Sequence, residues 1–251
     1  MSSNVPVITI DGLSASGKGT VANAISLKLG WNLLDSGLLY RIVAFLVDHF
    51  GMNLNDEEGI EHLVTQRVRI DYSDRGVQAS LDELGRPLRD GVMILSDSLH
   101  RKTVQWKGDD VTNTVRGNEI SRLAARVAAS RRIRNVLVPK QREQRVMPGL
   151  VADGRDMGTV IFPDAQLKIF LEASPETRAR RRMAQLGAAE TEASFRHVLQ
   201  SLQERDERDS LREVAPAKPA PDAVRIDSSE LSVDDTVARV MDLARQRKMI
   251  V

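Results

Sequence analysis

Val5-Pro6-Val7-Ile8-Thr9-Ile10-Asp11-Gly12-Leu13-Ser14-Ala15-Ser16-Gly17-Lys18-Gly19-Thr20 decides how the rest of the chain is read. Its first half is rich in β-branched residues and ends at Asp11-Gly12, which reads as a buried strand running into a turn. From Thr20 to Leu29 the apolar residues Val21, Ala24, Ile25 and Leu29 recur at helical spacing. Strand, glycine-rich loop and helix, in that order, are the context in which a Gly-x-x-x-x-Gly-Lys sequence binds phosphate. Successive backbone N–H groups, backed by the positive end of the helix, surround phosphate oxygens, and Lys18 adds a point charge toward the β- and γ-phosphates. Gly12, Leu13, Ser14, Ala15, Ser16, Gly17, Lys18, Gly19 and Thr20 are therefore the expected phosphate-binding loop. The residue after Lys18 is Gly19, so the hydroxyl expected on the magnesium side must come from Thr20. The plain alternative is a Gly/Ser-rich turn that merely joins strand to helix, and the flanking elements weigh against it.

Working outward, Trp31–Asp35, Leu150–Asp153, Leu167–Leu171 and Ala223–Asp227 are further apolar runs of strand length. They alternate with helical patterns over Leu38–Phe50, Ser121–Gln144, Pro175–Leu186, Ser194–Glu213 and Ser232–Gln246. Five short apolar strands alternating with helices predict an α/β fold, a doubly wound parallel five-stranded sheet covered on both faces. Residues 68–115 read differently. Arg67–Ser73 and Val77–Leu81 look like short antiparallel strands around Asp74-Arg75-Gly76, with turn chemistry at Gly85-Arg86-Pro87 and Gly108-Asp109-Asp110, so a β-rich insertion is expected. The prolines of Val214–Pro221 forbid helix and suggest an extended connector.

Composition narrows the function classes. The 251 residues are 41% hydrophobic and 28% charged, which excludes a disordered or fibrous chain. No run approaches the roughly 18 apolar residues of a membrane span. Met1-Ser2-Ser3-Asn4 lacks the basic start of a secretory signal, so a cytoplasmic protein is expected. With no cysteine there is no disulfide framework, thiolate zinc site or thiol nucleophile. Lys plus Arg number 36 against 35 for Asp plus Glu, a net charge of +1 that offers no electrostatic argument for nucleic acid or membrane binding. Any anion site must be local. A monomer with small-molecule ligands, and with neither a nucleic-acid nor a membrane partner, is the expectation.

Four sequence blocks now converge. The Gly17-Lys18-Gly19-Thr20 ending is similar to that of nucleoside monophosphate kinases. Leu34-Asp35-Ser36-Gly37-Leu38-Leu39-Tyr40-Arg41, Ala152-Asp153-Gly154-Arg155-Asp156-Met157-Gly158-Thr159-Val160 and Arg205-Asp206-Glu207-Arg208-Asp209-Ser210-Leu211-Arg212 resemble the bacterial cytidylate kinase family. The resemblance implies transfer of the γ-phosphoryl of ATP, as its Mg2+ complex, to CMP or dCMP. It also implies one P-loop kinase domain over 1–251, with residues 68–115 in the monophosphate-binding part and a helical lid over 178–212.

Residue by residue, the resemblance makes Lys18, Arg155, Arg205 and Arg212 the catalytic cations. Ser36, Tyr40, Arg41, Arg134, Arg155, Asp156, Arg208 and Asp209 become the acceptor site, with Asp156 on the exocyclic amine of cytosine and Asp209 at the ribose. Thr20 and Asp153 fall on the metal side. Arginine suits these places because its planar fork binds phosphate oxygens bidentately and stays charged. Two readings stay open for Arg178, Arg180, Arg181 and Arg182: a solvated helix face, or closure over ATP by Arg178 and Arg182. Asp153 and Asp156 also admit a plain turn-and-cap role.

The chain departs from the family at two places. Where a serine usually helps to read cytosine, this sequence has Ala125, and the insertion reads as longer than the family's, leaving Leu81–Trp106 outside the resemblance. A phosphate-loop kinase for another acceptor, and a nucleotide-dependent switch, are the competing readings. The Asp153–Asp156 block and Ser36-Tyr40-Arg41 argue against the first, the density of arginines against the second.

Overall fold

The computed structural model describes residues 5–67, 69–73, 91–96, 99, 100, 102–187, 189 and 191–250. In chain order, β1 (Val7–Gly12), α1 (Lys18–Leu29), β2 (Asn32–Asp35), α2 (Ser36–His49) and α3 (Glu57–His62) lead into a π-helical turn over Leu63–Arg67. Then come β3 (Arg69–Ser73), β4 (Gly91–Ser96), β5 (Lys102–Trp106), β6 (Asp109–Asp110), α4 (Thr112–Arg116), α5 (Asn118–Val127) and α6 (Arg131–Arg142). A second π-helical turn over Met157–Ile161 separates β7 (Leu150–Gly154) from β8 (Leu167–Glu172), and α7 (Pro175–Leu186), α8 (Glu192–Leu211), β9 (Val224–Asp227) and α9 (Val233–Gln246) complete the chain. Among the described residues no helix is long and apolar enough to cross a membrane.

The chain forms two compact units, residues 1–35 with 141–251, and residues 36–140. In the first, five parallel strands lie in the order β2-β7-β1-β8-β9, with Ile8 opposite both Val151 and Leu167. β1 is the central strand and all six of its residues are buried, which is why its sequence is nearly continuous in apolar side chains rather than alternating. Ile8, Ile10, Val21, Ile25, Trp31, Ile169 and Val240 are among the residues of this core. Parallel pairing brings the carboxyl ends of the strands to one edge, where Asp11-Gly12, Asp35 and Asp153-Gly154 end their strands. Helix starts are fixed by side chains: the Ser174 Oγ accepts from Thr177 N at 3.2 Å, ahead of Pro175, and Ser232 and Asp235 form a reciprocal cap on α9.

The second unit has its own core, in which Leu39, Phe45, Leu46, Ile60, Val104, Trp106, Val127 and Leu137 are buried. Its sheet runs β3-β4-β5-β6; β3 lies parallel to β4, and the remaining pairs are antiparallel. The expected hairpin around Asp74-Arg75-Gly76, with its second strand over Val77–Leu81, and the Gly85-Arg86-Pro87 turn lie outside the described residues.

One sequence expectation is corrected. The single helix read over Ser121–Gln144 is two, α5 and α6, broken at Ala128–Ser130. The Ser130 Oγ accepts from Ile133 N at 3.2 Å, so a serine hydroxyl replaces the carbonyl acceptor that a continuous helix would supply.

Candidate active site

Gly12 ends β1 where no other residue fits, because a Cβ there would lie 2.3 Å from the Leu171 backbone oxygen. The loop closes on Gly17, whose φ of 92° is left-handed, and α1 starts at the next residue. Its end is therefore set by backbone, with no side chain capping the N–H groups that a phosphate would meet. The Ser16 hydroxyl is buried and has no protein partner.

Lys18 folds back over the loop and donates from Nζ to the Leu13 carbonyl at 3.1 Å. Its pKa falls from 10.5 to about 7; burial is the largest cause, and the positive charges of Arg155 and Arg205 add to it, against the opposing pull of Asp153 and Asp209. The Asp209 pKa is lowered as well, which here favours the charged form. Burial would raise its pKa, but the charges of Arg155, Arg205 and Arg212 and the Arg155 hydrogen bond outweigh burial and lower it. These mutual effects define one ionic cluster of Lys18, Asp153, Arg155, Arg205, Asp209 and Arg212. Arg155 joins the cluster to the loop, donating from Nη2 to the Ser14 hydroxyl at 2.9 Å and from Nε to Asp209 at 3.1 Å. Arg212 donates to the Ala215 carbonyl, which folds the chain back as α8 ends.

The arginine run on α7 divides by side. Arg178 is buried, paired with Asp206, and donates to the Ser14 carbonyl at 3.3 Å. Arg181 donates to the Ser16 carbonyl at 3.0 Å and to the Ser228 carbonyl at 2.6 Å. Arg180 is exposed and lies 5.9 Å from the Phe195 ring centroid, while Arg182 donates to Gln185 on its own helix at 3.4 Å. The run is thus neither a wholly solvated face nor a wholly buried one. Arg208 is exposed on α8.

Asp153 and Asp156 follow β7. The Asp153 carboxylate lies against Gly19, 3.0 Å from the place a Cβ would take, next to Thr20. Asp156 is 2% exposed and opens the Met157–Ile161 turn; its backbone carbonyl accepts from Val160 N, with no side-chain cap bond. Asp11, read in the sequence only as the start of a turn, accepts from Met157 N and Gly158 N, both at 2.8 Å. Burial pushes its carboxyl from 3.8 up to about 7, against the lowering effect of those two bonds and with help from the Asp156 and Asp153 charges. Sequence reasoning gave no role at the loop to Arg181, Ser228 or Asp206 either. The spacing of Asp206 and Asp209, three apart and hence on one face of α8, was a usable signal.

In the second unit, Arg134 is 3% exposed and its guanidinium carbon lies 5.6 Å from the centroid of the buried Tyr40 ring. Arg134 also donates to the Ala128 carbonyl at 3.4 Å. Ser36 is buried at the start of α2, Arg41 is half-buried one turn on, and Ala125 is half-buried on α5.

The family model for cytidylate kinase matches residues 8–246. The cytidylate kinase of Stutzerimonas stutzeri (strain A1501) is 44% identical over 245 residues, spanning 98% of this chain and 97% of that protein. The cytidylate kinase of Pseudomonas putida KT2440 is 44% identical over 250 residues, spanning 100% of both chains. That of Pseudomonas aeruginosa UCBPP-PA14 is 44% identical over 241 residues, 96% of each.

Proposed function

The chain belongs to the cytidylate kinase family, and from that membership and the geometry of the loop we propose that it transfers the γ-phosphoryl group of ATP to CMP or dCMP, giving ADP and CDP or dCDP. The observation that carries the reading is the ionic cluster: three arginines and Lys18 gathered at a phosphate loop, with Asp153 and Asp209 among them. Two polyanions must be brought in line for this reaction, so positioning and charge stabilisation supply nearly all of the catalysis.

Division of labour follows from position. The loop amides and the buried Ser16 hydroxyl take the β- and γ-phosphates, and Lys18 turns from the Leu13 carbonyl to a phosphate oxygen. Arg155, Arg205 and Arg212 stabilise the charge that spreads over the transferring group, a task in which one preorganised donor contributes on the order of 3 kcal/mol. Arg178 and Arg181 hold the loop in shape through the Ser14 and Ser16 carbonyls. The helices over 178–212 act as the lid, and residues 68–115 belong to the part that takes the monophosphate. Arg155, Asp156, Arg134, Ser36, Tyr40 and Arg41 serve the acceptor; Asp209 and Arg208 serve its ribose.

Magnesium enters with ATP. The Thr20 hydroxyl and, through water, the Asp153 carboxylate would hold it, and both fit: they are hard oxygen donors, and the missing side chain of Gly19 leaves the carboxylate its place beside the loop. Held there, the ion would supply counter-charge to the nucleotide phosphates. We read the protein as a cytoplasmic monomer with no nucleic-acid or membrane partner.

The test is a coupled assay with ATP-magnesium and a panel of ribo- and deoxyribonucleoside monophosphates. CMP and dCMP should be the best acceptors, and turnover of another monophosphate in preference to both would refute the assignment.

A further inference from the structure

Asp11 has no part in the division of labour above, yet it is a buried carboxylate, 4% exposed, one residue before the loop. It accepts the amide hydrogens of Met157 and Gly158, one on each carboxylate oxygen. Those amides open the turn that follows Asp153-Gly154-Arg155-Asp156. The same turn seats directly on β1: a Cβ at Gly158 would lie 2.9 Å from the Thr9 Oγ1 and 3.1 Å from the Lys168 Cδ. Thr9 and Asp11 are two apart on β1 and so share the face that meets the turn. The Thr9 hydroxyl is buried and has no protein partner, so its side chain packs against the turn without bonding to it.

We propose that Asp11 is the positioning residue for the acceptor side of the reaction, its carboxylate holding the Met157 and Gly158 amides so that Arg155 and Asp156 keep their aim on the monophosphate. The inference rests on the kinase reading. Ionised, as Asp11 is above about pH 7, a carboxylate receiving two backbone N–H groups gives a stiffer and more directional hold than a neutral group of the same size. Fixing the turn behind Arg155 and Asp156 is how an outer residue tunes an inner one, and displacement of a contact by about 1 Å can reduce turnover about a hundredfold. Asp11 reaches the chemistry only through the turn, so its loss should appear in acceptor selection before it appears in ATP binding.

Asp11→Asn tests this. Its amide oxygen can accept from one N–H, but its NH2 faces the other donor and releases it. The expected result is a fall of at least about tenfold in kcat/KM for CMP, a CMP-to-UMP ratio narrowed by at least about threefold, and a KM for ATP within about twofold of wild type. Gly158→Ala is an independent second variant that keeps the Asp11 carboxylate and lifts the turn from β1. It should show the same pattern, and adding Thr9→Ala, which removes the obstructing Oγ1, should restore at least about half of the lost ratio. An unchanged CMP-to-UMP ratio in either single variant, or a KM for ATP that rises as much as that for CMP, would overturn the role of Asp11 while leaving the kinase reading intact. Absence of CMP turnover by the wild-type protein would overturn both.

Discussion

Loading ATP into this loop should draw a proton from solvent. In the ligand-free protein Lys18 titrates at about 7 instead of 10.5, since burial and the neighbouring Arg155 and Arg205 charges prevail over Asp153 and Asp209. At about pH 8 only roughly one Lys18 in ten then carries its charge. Phosphate oxygens on the loop supply the counter-charge that Asp153 and Asp209 do not, and return the ammonium to its protonated form. Binding therefore takes up nearly one proton at about pH 8, and affinity for ATP falls about tenfold for each pH unit above about 7, or about 1.4 kcal/mol per unit. The terminal phosphate of the nucleotide, with a pKa near 6 for such groups, is already deprotonated there and releases nothing that would mask the uptake.

Titration calorimetry at about pH 8 in two buffers of different ionisation enthalpy measures the uptake directly, and about 0.9 proton per ATP is expected from the one-in-ten charged fraction. Asp11 titrates in the same range, so Lys18→Met is the necessary control. The variant should lose the uptake and at least about a hundredfold in turnover, with the far-UV circular dichroism preserved. Uptake below about 0.2 proton in the wild type, or undiminished uptake in Lys18→Met, would refute the assignment of the neutral amine to Lys18.

Stability of the ligand-free protein should pass through a minimum near neutrality. Asp11, raised to about 7, binds its proton more tightly folded than unfolded and loses stability as pH climbs from 3.8 toward 7; Lys18, lowered to about 7, regains it as pH climbs on toward 10.5. Melting curves across pH check this, and Asp11→Asn should flatten the acid arm and Lys18→Met the alkaline one. Arg205→Ala and Arg212→Ala should each lower kcat more than they raise the KM for ATP, whereas a raised KM with kcat preserved would reduce the arginine to uniform binding. Asp156→Asn should narrow the ratio of kcat/KM for CMP over UMP, because an amide both donates and accepts; an unchanged ratio means the base is read elsewhere.

The three inner strands β1, β7 and β8 were legible because each is a largely apolar run that the sheet buries, and Ile8-Thr9-Ile10 could hardly lie anywhere else. The loop was legible because its spacing is itself the mechanism. The break at Ala128–Ser130 was missed because two alanines favour helix and the helical period runs on across it; a single serine hydroxyl bonded to Ile133 N settles the matter. The arginine run failed differently. Period alone separates Arg178 and Arg181 from Arg180, but which side meets the loop depends on Asp206, Ser14 and Ser228, far away in sequence. Asp11 was read as turn chemistry, since nothing local reveals that its partners are amides more than a hundred residues later.

Those long-range pairs explain how a chain of net charge +1 can build a phosphate site. Two of the arginines at the loop are each matched by a carboxylate on another element. Asp209 holds Arg155 and Asp206 holds Arg178, both from one face of α8, and both arginines end on Ser14, one on its hydroxyl and one on its carbonyl. Buried arginines left without partners would be strongly destabilising, so the carboxylates stabilise the fold while no nucleotide is bound. The two pairs are not equivalent. Asp206 has one buried oxygen with no partner and sits with Arg178 below the loop, an arrangement that a ligand need not disturb. Arg155 is more accessible and belongs to the cluster that already lowers the pKa of Lys18, so phosphate arriving there relieves repulsion among cations as it competes with Asp209. Nucleotide binding is on this account an exchange of anions around fixed arginines, and affinity should depend on salt less steeply than the number of cations in the cluster would suggest.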